Sequence, residues 1–307
     1  MLQNLSSIGE QFLANLARLQ NQLETTQQQI SSGFRINKPS DDPGSVGDVI
    51  QIESKLNQVN QTVTNLSNVK GEVDTAESSL STAAQFLDQI TQLGTQGANS
   101  IVTAAQRAGL AGQVTDLLTQ LVSISRTQYG GAFIFSGDNV SQPAYQLDLS
   151  SPTGVDRLST APSTKLIQDA TGVTFGASKT AQDIFDHRNP DDTTASDNVF
   201  AAVNSLRVAL QNNDLSGITS ALSSLKQSGD YLNQQLAYYG GVQNEVANAT
   251  TVAQKFQLQD QTSLSAKRDT NIAAAATSLT QEQAELQASL QAEAATPKTT
   301  LFDLLNL

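Results

Sequence analysis

Residues 29–44 read QISSGFRINKPSDDPG, and their chemistry turns the chain through a corner between two helices. Gly33 lies just past Ile30, the last apolar position of the pattern upstream, where a left-handed C-cap residue costs least. Pro39 keeps Lys38 out of helical angles. Asp42 followed by Pro43 has the form of an N-cap residue with proline at the first helical position. The first helix is therefore expected to stop at Gly33 and the second to begin at Pro43. Arg35, Asn37 and Asp41 complete the polar content of the turn. With no His or third carboxylate close by, Asp41 and Asp42 read as dipole-facing carboxylates of a helix start rather than metal ligands.

Upstream of the corner, Leu5, Ile8, Phe12, Leu16, Leu19, Leu23 and Ile30 recur in steps of three and four, with Thr26 in the one polar slot. That is a coiled-coil seam, too narrow to stand alone. Downstream, a second seam runs from Leu56 through Val59, Val63, Leu66, Val69, Val73, Leu80 and Leu87 to Ile90, and Gly94, Gly97 and Asn99 predict a break after it. A third, Leu110 to Ile124, should fold back on it as a helical hairpin.

From Tyr129 the composition changes. YGGAFIFSGD and the Pro-, Gly-, Ser- and Asp-rich stretch after it, with β-like runs at 144–149 and 172–175, predict a small β-rich insert over 129–198. Helical periodicity returns over 199–270, with interruptions expected at Gly217, Gly229 and Gly240–Gly241. A final helix carries Ile272, Ala276, Leu279, Leu286 and Leu290, with Gln283 in its polar slot, and an apolar tail holds Leu301 and Phe302. The expected fold is mainly α: an elongated helical bundle or coiled coil formed by the N- and C-terminal halves, interrupted by the insert. The segments are 1–42, an N-terminal assembly helix and turn; 43–128, the hairpin; 129–198, the insert; 199–270, returning helices; and 271–307, a C-terminal assembly helix and tail.

Composition narrows the function. The 307 residues carry 17 basic against 29 acidic side chains, no Cys, no Trp and a single His. A net charge of −12 repels nucleic acid and anionic membrane surfaces. The absence of Cys excludes disulfides and thiolate chemistry. One histidine, His187, cannot form a two-histidine zinc motif, and in FDHRNPDD it reads as a solvated loop residue. No catalytic, cofactor-binding or metal site is expected, and the chain is not expected to be an enzyme. Residues 1–10 lack the basic start and apolar core of a signal peptide, so any export is expected without a cleaved one.

QISSGFRINKPSDDPG, the coiled-coil start, FIFSGD before the insert, RDTNIAAAATSLTQEQAELQASLQA and the terminal LFDLL together resemble the bacterial flagellin and flagellar hook-associated family. KPSDDP, FIFSGD and LFDLL favour its hook-associated protein 3 branch, the hook–filament junction proteins. The resemblance implies a secreted structural subunit of the flagellum, outside the cell, that polymerises through its paired terminal helices. Its partners would be further copies of itself, an adjacent hook-associated protein and flagellin, with an export chaperone on the C-terminal segment. Two other readings are a filament flagellin, which forms long polymers alone, and a secreted helical adhesin or binding module.

Overall fold

In the computed structural model, which describes residues 2–295 and the side chains of 9–295, the chain is mainly helical. Helix α1 (Leu2–Ser32) leads through the corner to α2 (Pro43–Gly97) and α3 (Ala104–Ser125). Six short strands follow: β1 (Gln128–Tyr129), β2 (Ala132–Phe133), β3 (Tyr145–Leu147), β4 (Val155–Arg157), β5 (Leu166–Gln168) and β6 (Thr174–Gly176). The chain then forms α4 (Ala181–Phe185), α5 (Val199–Gln211), α6 (Leu215–Arg268) and α7 (Ile272–Ala295). It divides into two compact units, residues 2–58 with 257–295, and Val59–Phe256.

The larger unit is organised by apolar rows on α2, α3, α5 and α6. Leu66, Val73, Leu80, Leu87 and Ile90 of α2 are all buried, as the periodicity predicts. They share one core with Val114, Leu118 and Leu121 of α3, Leu206 and Leu210 of α5, and Ile218, Leu225 and Leu232 of α6. Thr103 starts α3 with a reciprocal capping box, its hydroxyl accepting the Gln106 amide while the Gln106 side chain accepts the Thr103 amide at 2.8 Å.

The break read from Gly94, Gly97 and Asn99 falls at the last two of them, since α2 ends at Gly97 and α3 begins at Ala104. α2 passes through Gly94 unbroken, and both glycines are sockets: a Cβ on Gly94 would meet Leu222 and Leu206, and one on Gly97 would meet Leu210. α6 likewise passes through Gly217, Gly229, Gly240 and Gly241 without interruption. At Gly217 a Cβ would press on Ala209 and Asp214, whereas Gly240 and Gly241 have nothing within 4 Å. Helix length and tertiary packing override the weak breaking tendency of single glycines.

The insert is three separate two-stranded antiparallel hairpins, β1–β2, β3–β4 and β5–β6, rather than one sheet. Strands of two or three residues have little stability of their own, and packing onto the helices supplies it. Phe135 meets Phe185 and Tyr239 edge-on at 6.2 and 6.4 Å, and Tyr145 packs on Phe200 at 5.4 Å. Gly137, at φ 61°, lies where any side chain would strike the carbonyls of Ala161 and Pro162. Asp186, wholly buried, accepts from Tyr145 Oη (2.8 Å), Arg188 Nε (2.8 Å) and Asn198 Nδ2 (2.7 Å).

His187 is more ordered than its loop context suggests. Its ring stacks on Tyr231 at 4.6 Å and its Nδ1 lies 2.7 Å from Asp197. Tyr238 and Tyr239 tie the insert to α6: Tyr238 Oη donates to the Gly176 carbonyl at 2.9 Å, and Tyr239 Oη accepts the Lys179 amide at 3.1 Å.

Candidate assembly interface

The smaller unit carries the features that the sequence marks for assembly, and the corner is its fixed point. Gly33, at φ 77°, ends α1, its amide bonded back to the Gln29 carbonyl at 2.9 Å. Lys38 and Asp41 close a turn around Pro39, with the Asp41 amide on the Lys38 carbonyl at 3.0 Å. The Asp41 carboxylate accepts the amides of Asn37 and Lys38 at 2.8 and 2.7 Å, and the Asn37 side chain donates to the Phe34 carbonyl at 2.8 Å. Asp42 caps α2 through the Ser45 amide at 3.2 Å, directly ahead of Pro43. Arg35 donates to Asp42 at 2.9 Å, and this bond, reinforced by Ser45, holds the Asp42 carboxyl below the usual carboxylate range.

The corner is stitched to the end of α6. The Arg35 amide donates to the Arg268 carbonyl at 2.7 Å, Arg35 Nη2 to the Lys267 carbonyl at 2.8 Å, and the Thr270 amide to the Gly33 carbonyl at 2.9 Å. Arg268 lies over the Phe34 ring at 4.0 Å and pairs with Glu53 at 3.0 Å, while Lys267 pairs with Asp48 at 2.7 Å. Beneath them Ile36, Val49 and Leu264 form a small core flanked by Val46, Ile52 and Leu56. Sequence reasoning gave no role to Arg268, Lys267, Glu53 or Asp48. Their contacts cross more than 200 residues of chain, and only the opening RD of the quoted RDTNI stretch hinted at the first of them.

From this corner α1 and α7 pair side by side in opposite directions, as the contacts Gly33 to Thr270 and Thr26 to Glu282 require. On α1, Phe12, Leu16, Leu23 and Ile30 are partly covered and Leu19 and Thr26 buried, which is the row read from the sequence. Leu5 and Ile8 lie in α1, but their side chains are outside the described set, as are Leu301 and Phe302 altogether.

On α7 the covered row differs. It runs Ala275, Leu279, Glu282, Leu286, Ser289 and Glu293, so the polar slot belongs to Glu282 rather than Gln283. Ile272 and Leu290 are about half exposed (49% and 50%), and Ala276 is exposed with them. At 100° per residue the two rows are offset by roughly 60° and share Leu279 and Leu286. Together they span one broad face of mixed character, with Glu282, Ser289 and Glu293 in the half that α1 covers and Gln283 in the half that it leaves open.

No helix among the described residues is long and apolar enough to cross a membrane. No group of three or more His, Cys, Asp or Glu among them is placed to hold a metal ion.

Fold and site define a class: a helical protein that brings its two terminal helices together beside a knotted corner and inserts a hairpin-rich segment between its central helices. Residues 4–140 match the family described as the bacterial flagellin N-terminal helical region. The B-type flagellin of Pseudomonas aeruginosa is 29% identical over 135 residues, which cover 44% of this chain and 27% of that one. The flagellar filament 33 kDa core protein of Treponema phagedenis is 28% identical over 116 residues, 38% of this chain and 41% of that one. These matches thus span well under half the length of either curated relative. A protein of Vibrio parahaemolyticus assigned as flagellar hook-associated shares the fold, with a TM-score of 0.64 at 19% identity over 74% of this chain and 99% of that one. So does flagellar hook associated protein-3 of Legionella pneumophila, with a TM-score of 0.60 at 12% identity over 70% and 98% of the two chains. Over residues 4–140 the chain is thus similar to bacterial flagellins, and its fold is shared with proteins described as flagellar hook-associated.

Proposed function

We propose that the chain is a structural subunit of the bacterial flagellum, working outside the cell at the junction between hook and filament and polymerising through its paired terminal helices. The observation that carries this reading is the uncovered half of α7: Ile272, Ala276 and Leu290 form an exposed apolar row flanking the pairing seam. Leu13 on α1 is exposed as well, at 63%. Exposed apolar side chains lined up beside a pairing seam suit a surface that a neighbour covers. Leu301 and Phe302, beyond the described residues, extend the assembly segment in sequence. The occupants are terminal helices of further copies, of an adjacent hook-associated protein and of flagellin, and a chaperone covers the C-terminal segment before export.

The solved structures sharing the fold over nearly their whole length favour the junction role over the filament role. Sedimentation tests it: alone the chain should form only small assemblies, and it should add to preformed filament ends when these are supplied. Long polymers from the purified chain would make it a filament flagellin instead. Failure to bind filament or hook under any condition would overturn the assembly reading.

A further inference from the structure

We infer that Thr26 and Glu282 form a selectivity lock in the terminal pair, fixing the register in which α1 accepts α7 at the expense of stability. In the row of α1 that faces α7, Thr26 is the one polar residue among Phe12, Leu16, Leu19, Leu23 and Ile30. Its hydroxyl donates to Glu282 Oε1 at 3.0 Å. The other carboxylate oxygen, Glu282 Oε2, is shut away from solvent with no hydrogen-bond partner among the described residues.

A carboxylate satisfied at one oxygen and buried at the other is a poor source of stability, and an apolar pair of similar size would hold the helices at least as well. What the polar pair supplies is discrimination, because Thr26 is the one polar position in the α1 row. An alignment that moves the Glu282 carboxylate off it leaves a charged group against leucine, a heavier penalty than the small Ser289 hydroxyl meets opposite Leu19. If α7 slides by one step of the seam, Thr26 faces Leu279 or Leu286 and the carboxylate loses the Thr26 hydroxyl. This matters because α7 has a second row, through Ile272, Ala276 and Leu290, that α1 leaves exposed. The consequence for choosing between this chain's own helix and a neighbour's rests on the assembly reading above. The lock itself does not, and its test uses the isolated chain.

The chain contains no Cys, so an engineered pair reports register without background. Positions 19 and 289 each lie one heptad from the Thr26–Glu282 contact and face one another in the observed register, whereas 19 and 286 meet only after a slip. With the lock intact, oxidation should close Leu19→Cys/Ser289→Cys roughly tenfold faster than Leu19→Cys/Leu286→Cys, the ratio for about 1.4 kcal/mol of register preference. Adding Thr26→Leu with Glu282→Leu should bring the two rates together without lowering the thermal midpoint of the helical signal. Thr26→Leu alone should lower that midpoint. Unchanged register selectivity in the double-leucine chain would overturn the proposal. So would a double-leucine chain that melts below the single variant or does not fold, because the pair would then be serving stability rather than choice.

Discussion

The carbonyl of Gly33 accepts the amide of Thr270 at 2.9 Å, joining the residue just past α1 to the one two places ahead of α7. Both terminal helices therefore spring from one hydrogen-bonded point, and the charges around it set its strength. Asp42 is held below the usual carboxylate range mainly by Arg35 and then by Ser45. A carboxyl whose folded value is depressed contributes stability that is present above its unfolded value and lost as pH falls through the folded one. Protection of the Arg35 and Thr270 amides from hydrogen exchange should accordingly fall on acidification below the ordinary Asp range. Replacing Arg35 with Met should shift that loss to higher pH, and an unshifted profile would remove Arg35 from the account.

Asp186 makes the sharpest stability prediction in the larger unit. It is wholly buried and serves three donors from three segments, Tyr145, Arg188 and Asn198. Asp186→Ala leaves a buried guanidinium edge and two polar groups without their acceptor, at about 3–5 kcal/mol. Asp138, at the surface, is held below the usual range by Thr164, and its Ala variant should cost far less. Urea denaturation of the two variants compares them directly.

The glycines of the long helices divide into two kinds with opposite responses. Gly94→Val would drive a branched side chain into Leu206 and Leu222, and should destabilise by about 1–3 kcal/mol. Gly240 and Gly241 are helical with open space where a Cβ would stand. Alanine at either should stabilise by up to about 1 kcal/mol through helix propensity. Thermal denaturation followed by circular dichroism reads both signs in one experiment.

Much of this was legible in the sequence where apolar and polar residues contrast. The row of α1 stands out because its large side chains recur among Gln, Asn and Ser, and the structure covers, at least in part, its members from Phe12 to Ile30. The corner was legible because Gly33, Pro39 and Asp42–Pro43 act through local backbone rules. The row of α7 was not: Ala273–Ala276 offers no contrast between faces, and Glu282 has the composition of a surface residue until Thr26 is seen opposite it. Nor were the glycine sockets, whose reason lies in leucines more than a hundred residues away. His187 reads as a loop residue because its partners, Asp197 and Tyr231, are set by how the insert folds.

In the proposed assembly, the uncovered row of α7 is the contact surface for neighbouring subunits. Ile272→Lys with Leu290→Lys places two charges on that row without touching Leu279 or Leu286 in the pairing seam. The direct measurement is sedimentation of this variant beside the unchanged chain, each mixed with preformed filament ends, with helical content recorded for both. Full helical content with loss of co-sedimentation is the predicted result. Co-sedimentation equal to that of the unchanged chain would contradict the account and move the contact surface elsewhere on the molecule.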